Sequence, residues 1–93
     1  MTRRIHKTRL QPGQPNPLPY ASHVLSVGAQ SGELVAWYLT TVDDTKPPFT
    51  RMLQVVGTGW DLPPECTPET FIGTAQVGHL VWHVFDPSRD VDT

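Results

Sequence analysis

A single cysteine, Cys66, stands in ninety-three residues, which excludes an internal disulfide framework and a zinc site built on four cysteines. Positive charge is scarce: seven Lys plus Arg against nine Asp plus Glu give a formal charge of -2, the wrong balance for a dedicated nucleic-acid binder. Long apolar runs are missing, none approaching the roughly 20 residues of a membrane span, and no apolar stretch follows the N-terminal basic residues as in a secretory signal. The expectation is a soluble cytoplasmic protein. A chain this short buries only about 60% of its unfolded surface, which allows one core and little room for a deep pocket.

Prolines are plentiful, ten in all, and they fall in clusters: Pro12, Pro15, Pro17 and Pro19, then Pro47 and Pro48, then Pro63, Pro64 and Pro68, with Pro87 near the end. Proline lacks the N–H that a sheet ladder uses and biases the preceding residue away from helix, so each cluster reads as a connection. The runs between them are rich in Val, Leu, Ile, Thr and aromatics at strand length. They give six expected strands, over residues 3–10, 23–29, 34–42, 49–56, 71–77 and 80–85. The fold class is all-β, a six-stranded, mostly antiparallel small sandwich or open barrel with long proline-rich loops. Residues 1–87 form a single β domain, and 88–93 a polar C-terminal tail.

Two hairpins can be registered. A Ser31-Gly32 turn opposes Ala29 to Leu34, Val27 to Ala36 and Leu25 to Tyr38 on one face, with Ser26 opposite Trp37 and Val24 opposite Leu39 on the other. Both faces of residues 34–39 are then apolar, as in a central strand covered on both sides by other protein or by another copy of the chain. A Gly78-His79 turn opposes Val77 to Leu80, Ala75 to Trp82 and Gly73 to Val84, setting small residues against a large ring. Its semi-polar face sets Thr74 against His83 and Ile72 against Phe85. Residues 67–70 support one helical turn, with Thr67 as cap and Pro68 first.

Charge is uneven. Arg3, Arg4, Lys7 and Arg9 precede any acid, which leaves the other eighty-three residues with three bases and nine acids. The plain reading is a basic edge strand whose charges keep strangers from pairing with it; the sharper one is a basic strip for an acidic partner.

Catalytic constellations are wanting. His79 and His83 on a strand lie roughly 13 Å apart, too far for one metal. Cys66 has no histidine base placed near it and reads as a small apolar packing residue. Asp43 and Asp44 suit a solvated turn, with no third ligand at calcium-loop spacing. Gly57-Thr58-Gly59 lacks a third glycine and a following helix, so it reads as a turn. No enzyme activity, cofactor or metal is expected. Among three tryptophans, Trp60 alone sits in a loop, where it either staples that loop to the sheet or anchors an interface.

The segments Val24-Leu25-Ser26-Val27, Leu34-Val35-Ala36-Trp37, Val56-Gly57-Thr58-Gly59-Trp60, Phe71-Ile72-Gly73-Thr74-Ala75-Gln76 and Leu80-Val81-Trp82-His83-Val84-Phe85-Asp86 resemble a family of small uncharacterised proteins from tailed bacteriophages and prophages of actinobacterial hosts. The resemblance spans about residues 3–86; the last segment and the Gly-Thr-Gly turn are its most specific parts. It implies an origin without an activity. The chain departs from the family in a longer proline-rich first loop and an extra acidic tail. The expected function is a non-enzymatic phage accessory protein of the host cytoplasm that binds a host protein, copies of itself, or both. The expected contact residues are Trp60, Asp61, Leu62, His83 and Phe85. The alternatives are a minor structural or assembly protein of the virion and an OB-like single-stranded nucleic-acid binder.

Overall fold

The computed structural model describes residues 2–19, 22–42 and 50–89. Within these, seven strands form two antiparallel sheets: β1 (Thr2–Arg9), β2 (Asn16–Pro19), β3 (Ser22–Gln30), β4 (Glu33–Val42), β5 (Thr50–Gly57), β6 (Phe71–Val77) and β7 (Leu80–Phe85). One sheet has the order β1-β4-β3 and the other β2-β5-β7-β6. The architecture is a sandwich of two open sheets and not a closed barrel. No helix of the described residues is long and apolar enough to cross a membrane.

The count of six strands is corrected by β2. Prolines usually mark connections, yet Asn16-Pro17-Leu18-Pro19 pairs with β5, with Leu18 opposite Arg51. Pro17 and Pro19 are spaced by two, so their missing N–H groups fall on one side of the strand, the side that an edge leaves unpaired. Buried Asn16 sets the approach to this strand. Its Oδ1 accepts the Gln11 N–H at 2.7 Å, and its Nδ2 donates to the carbonyls of Gln11, Gln14 and Leu53 at 3.1, 2.9 and 3.3 Å.

Both hairpins form. At the first turn Ser31 (φ 53°) and Gly32 (φ 77°) take the left-handed conformations of a primed two-residue turn. Pairing follows expectation from Gln30–Glu33 through Ser26–Trp37, then shifts: Val24, not Leu25, stands opposite Tyr38, and His23 opposite Leu39. A bulge between Val24 and Ser26 absorbs the extra residue, so Val24 packs against the core and Leu25 is turned out. The second hairpin turns at Gly78 and keeps Val77–Leu80, Ala75–Trp82, Thr74–His83 and Gly73–Val84. A second bulge puts Phe71, not Ile72, opposite Phe85.

The core lies between the sheets. Leu34 and Ala36 of β4, with half-buried Val24, Val27 and Tyr38, meet Leu18, Leu53, Val55, Ala75 and Val84 from the other sheet. Gly73 permits the close approach, since a Cβ there would stand 2.9 Å from Val27 Cγ2.

β5 and β6 flank β7 and, both being antiparallel to it, run the same way. Residues 58–70, which join them, must therefore travel back along the sheet. They do so across its outer face, where Cys66 packs with Val56 and Phe85 in a second small core. A 3₁₀ turn, Pro68–Thr70, stands where one helical turn was expected, but the Thr67 hydroxyl does not cap it; Thr70 Oγ1 instead accepts the Thr67 N–H at 2.9 Å.

The chain after β7 is tied down by a buried ion pair. Asp86 is fully buried, and Arg51 of β5 donates to its carboxylate and to the Ser22 carbonyl of β3. Arg51 Nε also donates to Ser88 Oγ at 3.0 Å, while the Ser88 N–H and hydroxyl donate to Asp86 Oδ1 at 3.1 and 2.6 Å. Pro87–Arg89 thus forms a 3₁₀ turn held at Ser88, inside the segment assigned above to a polar tail. Residues 90–93, the Asp43-Asp44 turn and the loop with Pro47 and Pro48 lie outside the described residues.

Candidate interaction surface

Trp60 is placed by a glycine turn. The Trp60 N–H donates to the Gly57 carbonyl at 3.1 Å, and Gly59 has φ 90°. The indole folds under Gly57, where a Cβ would come within 2.8 Å of it, and meets Trp82 edge-on at 5.6 Å and 78°. The ring staples its loop to the sheet through Gly57 and Trp82 while remaining 50% exposed. Beside it Asp61 is exposed, and Leu62 and Leu80 are exposed at 54% and 57%. Trp60, Leu80 and Trp82 share a shallow hollow with Gly57, His79 and Val81.

The remaining two expected contact residues are placed elsewhere. His83 is half-buried on the outer face of the four-stranded sheet, its Nε2 2.7 Å from Thr58 Oγ1 and its Nδ1 2.9 Å from Thr74 Oγ1. A hydroxyl can donate or accept, so this cradle holds the ring in either tautomer. Phe85 is only 7% exposed, beneath the crossing loop and edge-on to Phe71 at 5.5 Å. It packs the second core and offers no contact surface. Cys66 shares that core, and burial, then the charge of Glu65, pushes its thiol pKa above the usual value. A thiol held protonated is a poor nucleophile.

A second surface went unassigned in the sequence. The outer face of the three-stranded sheet carries Ile5 at 62% and Leu25 at 48% exposure, with half-buried Leu39 between strands β1 and β3. These residues line one shallow depression together with Arg3 and Arg4. Further along, the Trp37 ring lies over Gly28, 3.3 Å from where a Cβ would be. The signal was present: strand 34–39 is apolar on both faces, and on the outer one Val35 is buried while Trp37 and Leu39 are only half-buried. Leu25 escaped notice because the regular register buried it.

The charge around this face is partly free. Arg9 pairs with Glu33 at 2.6 Å, and Lys7 donates to Gln30 Oε1. Among the described residues Arg3 and Arg4 have no hydrogen-bond or ion-pair partner.

The chain belongs to the family described as a domain of unknown function (DUF7352), whose model matches residues 1–93. Comparison with curated proteins and with solved structures finds no match.

Proposed function

We propose that this chain is a non-enzymatic phage accessory protein that acts by binding protein, either a host protein in the host cytoplasm or further copies of itself. The phage origin rests on the sequence resemblance. The binding role rests on one observation above all: the outer face of the three-stranded sheet presents Ile5, Leu25 and Leu39 to solvent beside two unpartnered arginines. Clustered exposed apolar side chains rimmed by polar groups mark interaction sites. Trp60, Asp61 and Leu62 supply a second contact surface at the end of the sandwich, where a rigid indole is already held in place by Trp82.

The test is capture from host lysate with the wild-type protein, Ile5→Asn/Leu25→Asn and Trp60→Ala. Loss of the same bound proteins in a variant that remains folded supports the reading, and identical partner lists for all three oppose it.

A minor virion protein is the second reading, favoured by the presence of two separate exposed apolar surfaces on so small a chain, as assembly into an array requires. Mass spectrometry of purified particles separates the two, since an accessory binder should be missing from them. An OB-like nucleic-acid role rests on Arg3 and Arg4 alone, and a gel shift with single-stranded DNA and RNA at moderate salt tests it.

A further inference from the structure

Resting on the binding reading above, we infer that β1 is a docking edge for an acidic, extended segment of a partner protein, which joins the three-stranded sheet as a further strand beside β1. β1 ends its sheet, and among the described residues no strand is hydrogen-bonded to its far side. It pairs with β4 over eight residues without a register shift. The other three edge strands carry devices that hinder any added strand whatever its charge: Pro17 and Pro19 in β2, and a bulge in each of β3 and β6. β1 has neither proline nor bulge, only Arg3, Arg4, Lys7 and Arg9, and no acid. Basic charge repels a basic strand, a second copy of β1 included, and attracts an acidic one.

The register fixes which backbone groups the edge offers. The Leu10 N–H donates to the Leu34 carbonyl at 2.9 Å, and these two residues stand opposite each other, one step beyond Arg9 and Val35. Opposed residues of an antiparallel pair alternate between bonded and non-bonded. Arg4, His6 and Thr8 therefore turn their N–H and C=O groups toward β4, whereas Arg3, Ile5, Lys7 and Arg9 turn theirs to the open edge. Side chains flank that edge on both faces of the sheet. Arg3, Ile5 and Lys7 lie on the outer face with Leu39 and Trp37, and Arg4 lies on the other, opposite Thr40. Arg9 is paired with Glu33 at 2.6 Å and Lys7 donates to the neutral Gln30 side chain; Arg3 and Arg4 have no ion-pair partner among the described residues. Ile5, 62% exposed at the centre of the strand, adds no repulsion but offers an apolar contact. From Lys7 back to Arg3 the edge thus presents base, His6, Ile5, base, base, and the antiparallel segment that fits it reads acid, any residue, apolar, acid, acid.

The test titrates the end-capped peptide Thr-Glu-Thr-Val-Glu-Glu-Thr into isotope-labelled protein to millimolar concentration and follows amide hydrogen exchange residue by residue. Exchange should slow at the outward N–H groups of Arg3, Ile5 and Lys7, while Arg4, His6 and Thr8, already bonded to β4, change little. Ile5→Pro removes an outward donor without breaking a bond to β4 and should abolish the protection. Arg3→Glu/Arg4→Glu should weaken the peptide about tenfold or more, and high salt should weaken it as well. All three positions are exposed, so both variants should fold, which circular dichroism checks. No binding, binding without protection of the outward amides, or equal binding of a peptide with Lys in place of each Glu would overturn the inference. So would a labelled single-stranded oligonucleotide that binds more tightly than the peptide and is lost in the arginine variant. In each of these cases the broader binding reading stands or falls separately, on whether the lysate partners depend on Ile5 and Leu25.

Discussion

On the four-stranded sheet the chain fills its own outer face: residues 58–70 cross it, Cys66 and Phe85 pack there with Val56, and the His83 ring is held by Thr58 and Thr74. On the three-stranded sheet nothing among the described residues crosses the outer face, and Ile5, Leu25 and Leu39 line an open depression instead. Both outer faces carry apolar side chains, but only one is crossed by another described segment of the chain. A sheet face that is apolar and left open costs solubility unless it serves a contact, which makes the open face the functional candidate and the covered one a source of stability. Substitutions should therefore divide by sheet, with stability lost on one side and association on the other.

The largest stability effect is expected at the ion pair that anchors the covered sheet. Asp86→Ala leaves Arg51, whose side chain is 14% exposed, without its carboxylate, and should cost about 3–5 kcal/mol in urea unfolding. A loss below about 1 kcal/mol would show that the pair contributes little. Close behind is Phe85→Ala, which empties the small core under the crossing loop; about 3 kcal/mol is expected by the same measurement. Gly57→Ala pushes a methyl into the Trp60 ring and should cost about 1–3 kcal/mol. It should also free the indole from Trp82, which a red shift of tryptophan emission reports. On the open sheet the pattern reverses: Ile5→Asn should change stability by about 0.5 kcal/mol or less while weakening association. A large destabilisation there would erase the distinction between the faces.

The smallest effect is alkaline. The Cys66 thiol has its pKa raised in the folded state above the usual 9.0, by burial first and Glu65 second. Below that value the thiol is protonated in both states, and its contribution to stability is fully present. As pH rises past 9.0 the unfolded chain ionises first, so the folded state loses stability. Unfolding midpoints measured from pH 8 to 10.5 should fall, and fall less in Cys66→Ala.

Local rules made most strands legible. Ser31-Gly32 and Gly78-His79, each between alternating runs, fixed two hairpins because a two-residue turn sets its own register. The rest depended on contacts distant in sequence. Arg51 and Asp86 are thirty-five residues apart and belong to no motif, so nothing local announces their pairing. Leu18 was hidden by the prolines beside it, which are tolerated only because β2 is an edge. The bulge after Val24 moved Leu25 from core to surface, a one-residue shift that alternation alone does not reveal. Of the expected contact residues, Trp60, Asp61 and Leu62 lie together and exposed. Phe85 does not, because its semi-polar strand face gave no sign that residues 58–70 would return across it.

The division between the two sheets is tested most directly by amide chemical shifts followed as the acidic peptide is titrated into the wild-type protein. Shifts should gather at Arg3, Ile5 and Lys7 and at Leu39 beside them, with Thr74, Gln76 and His83 on the covered sheet unchanged. Shifts that gather on the covered sheet would contradict it.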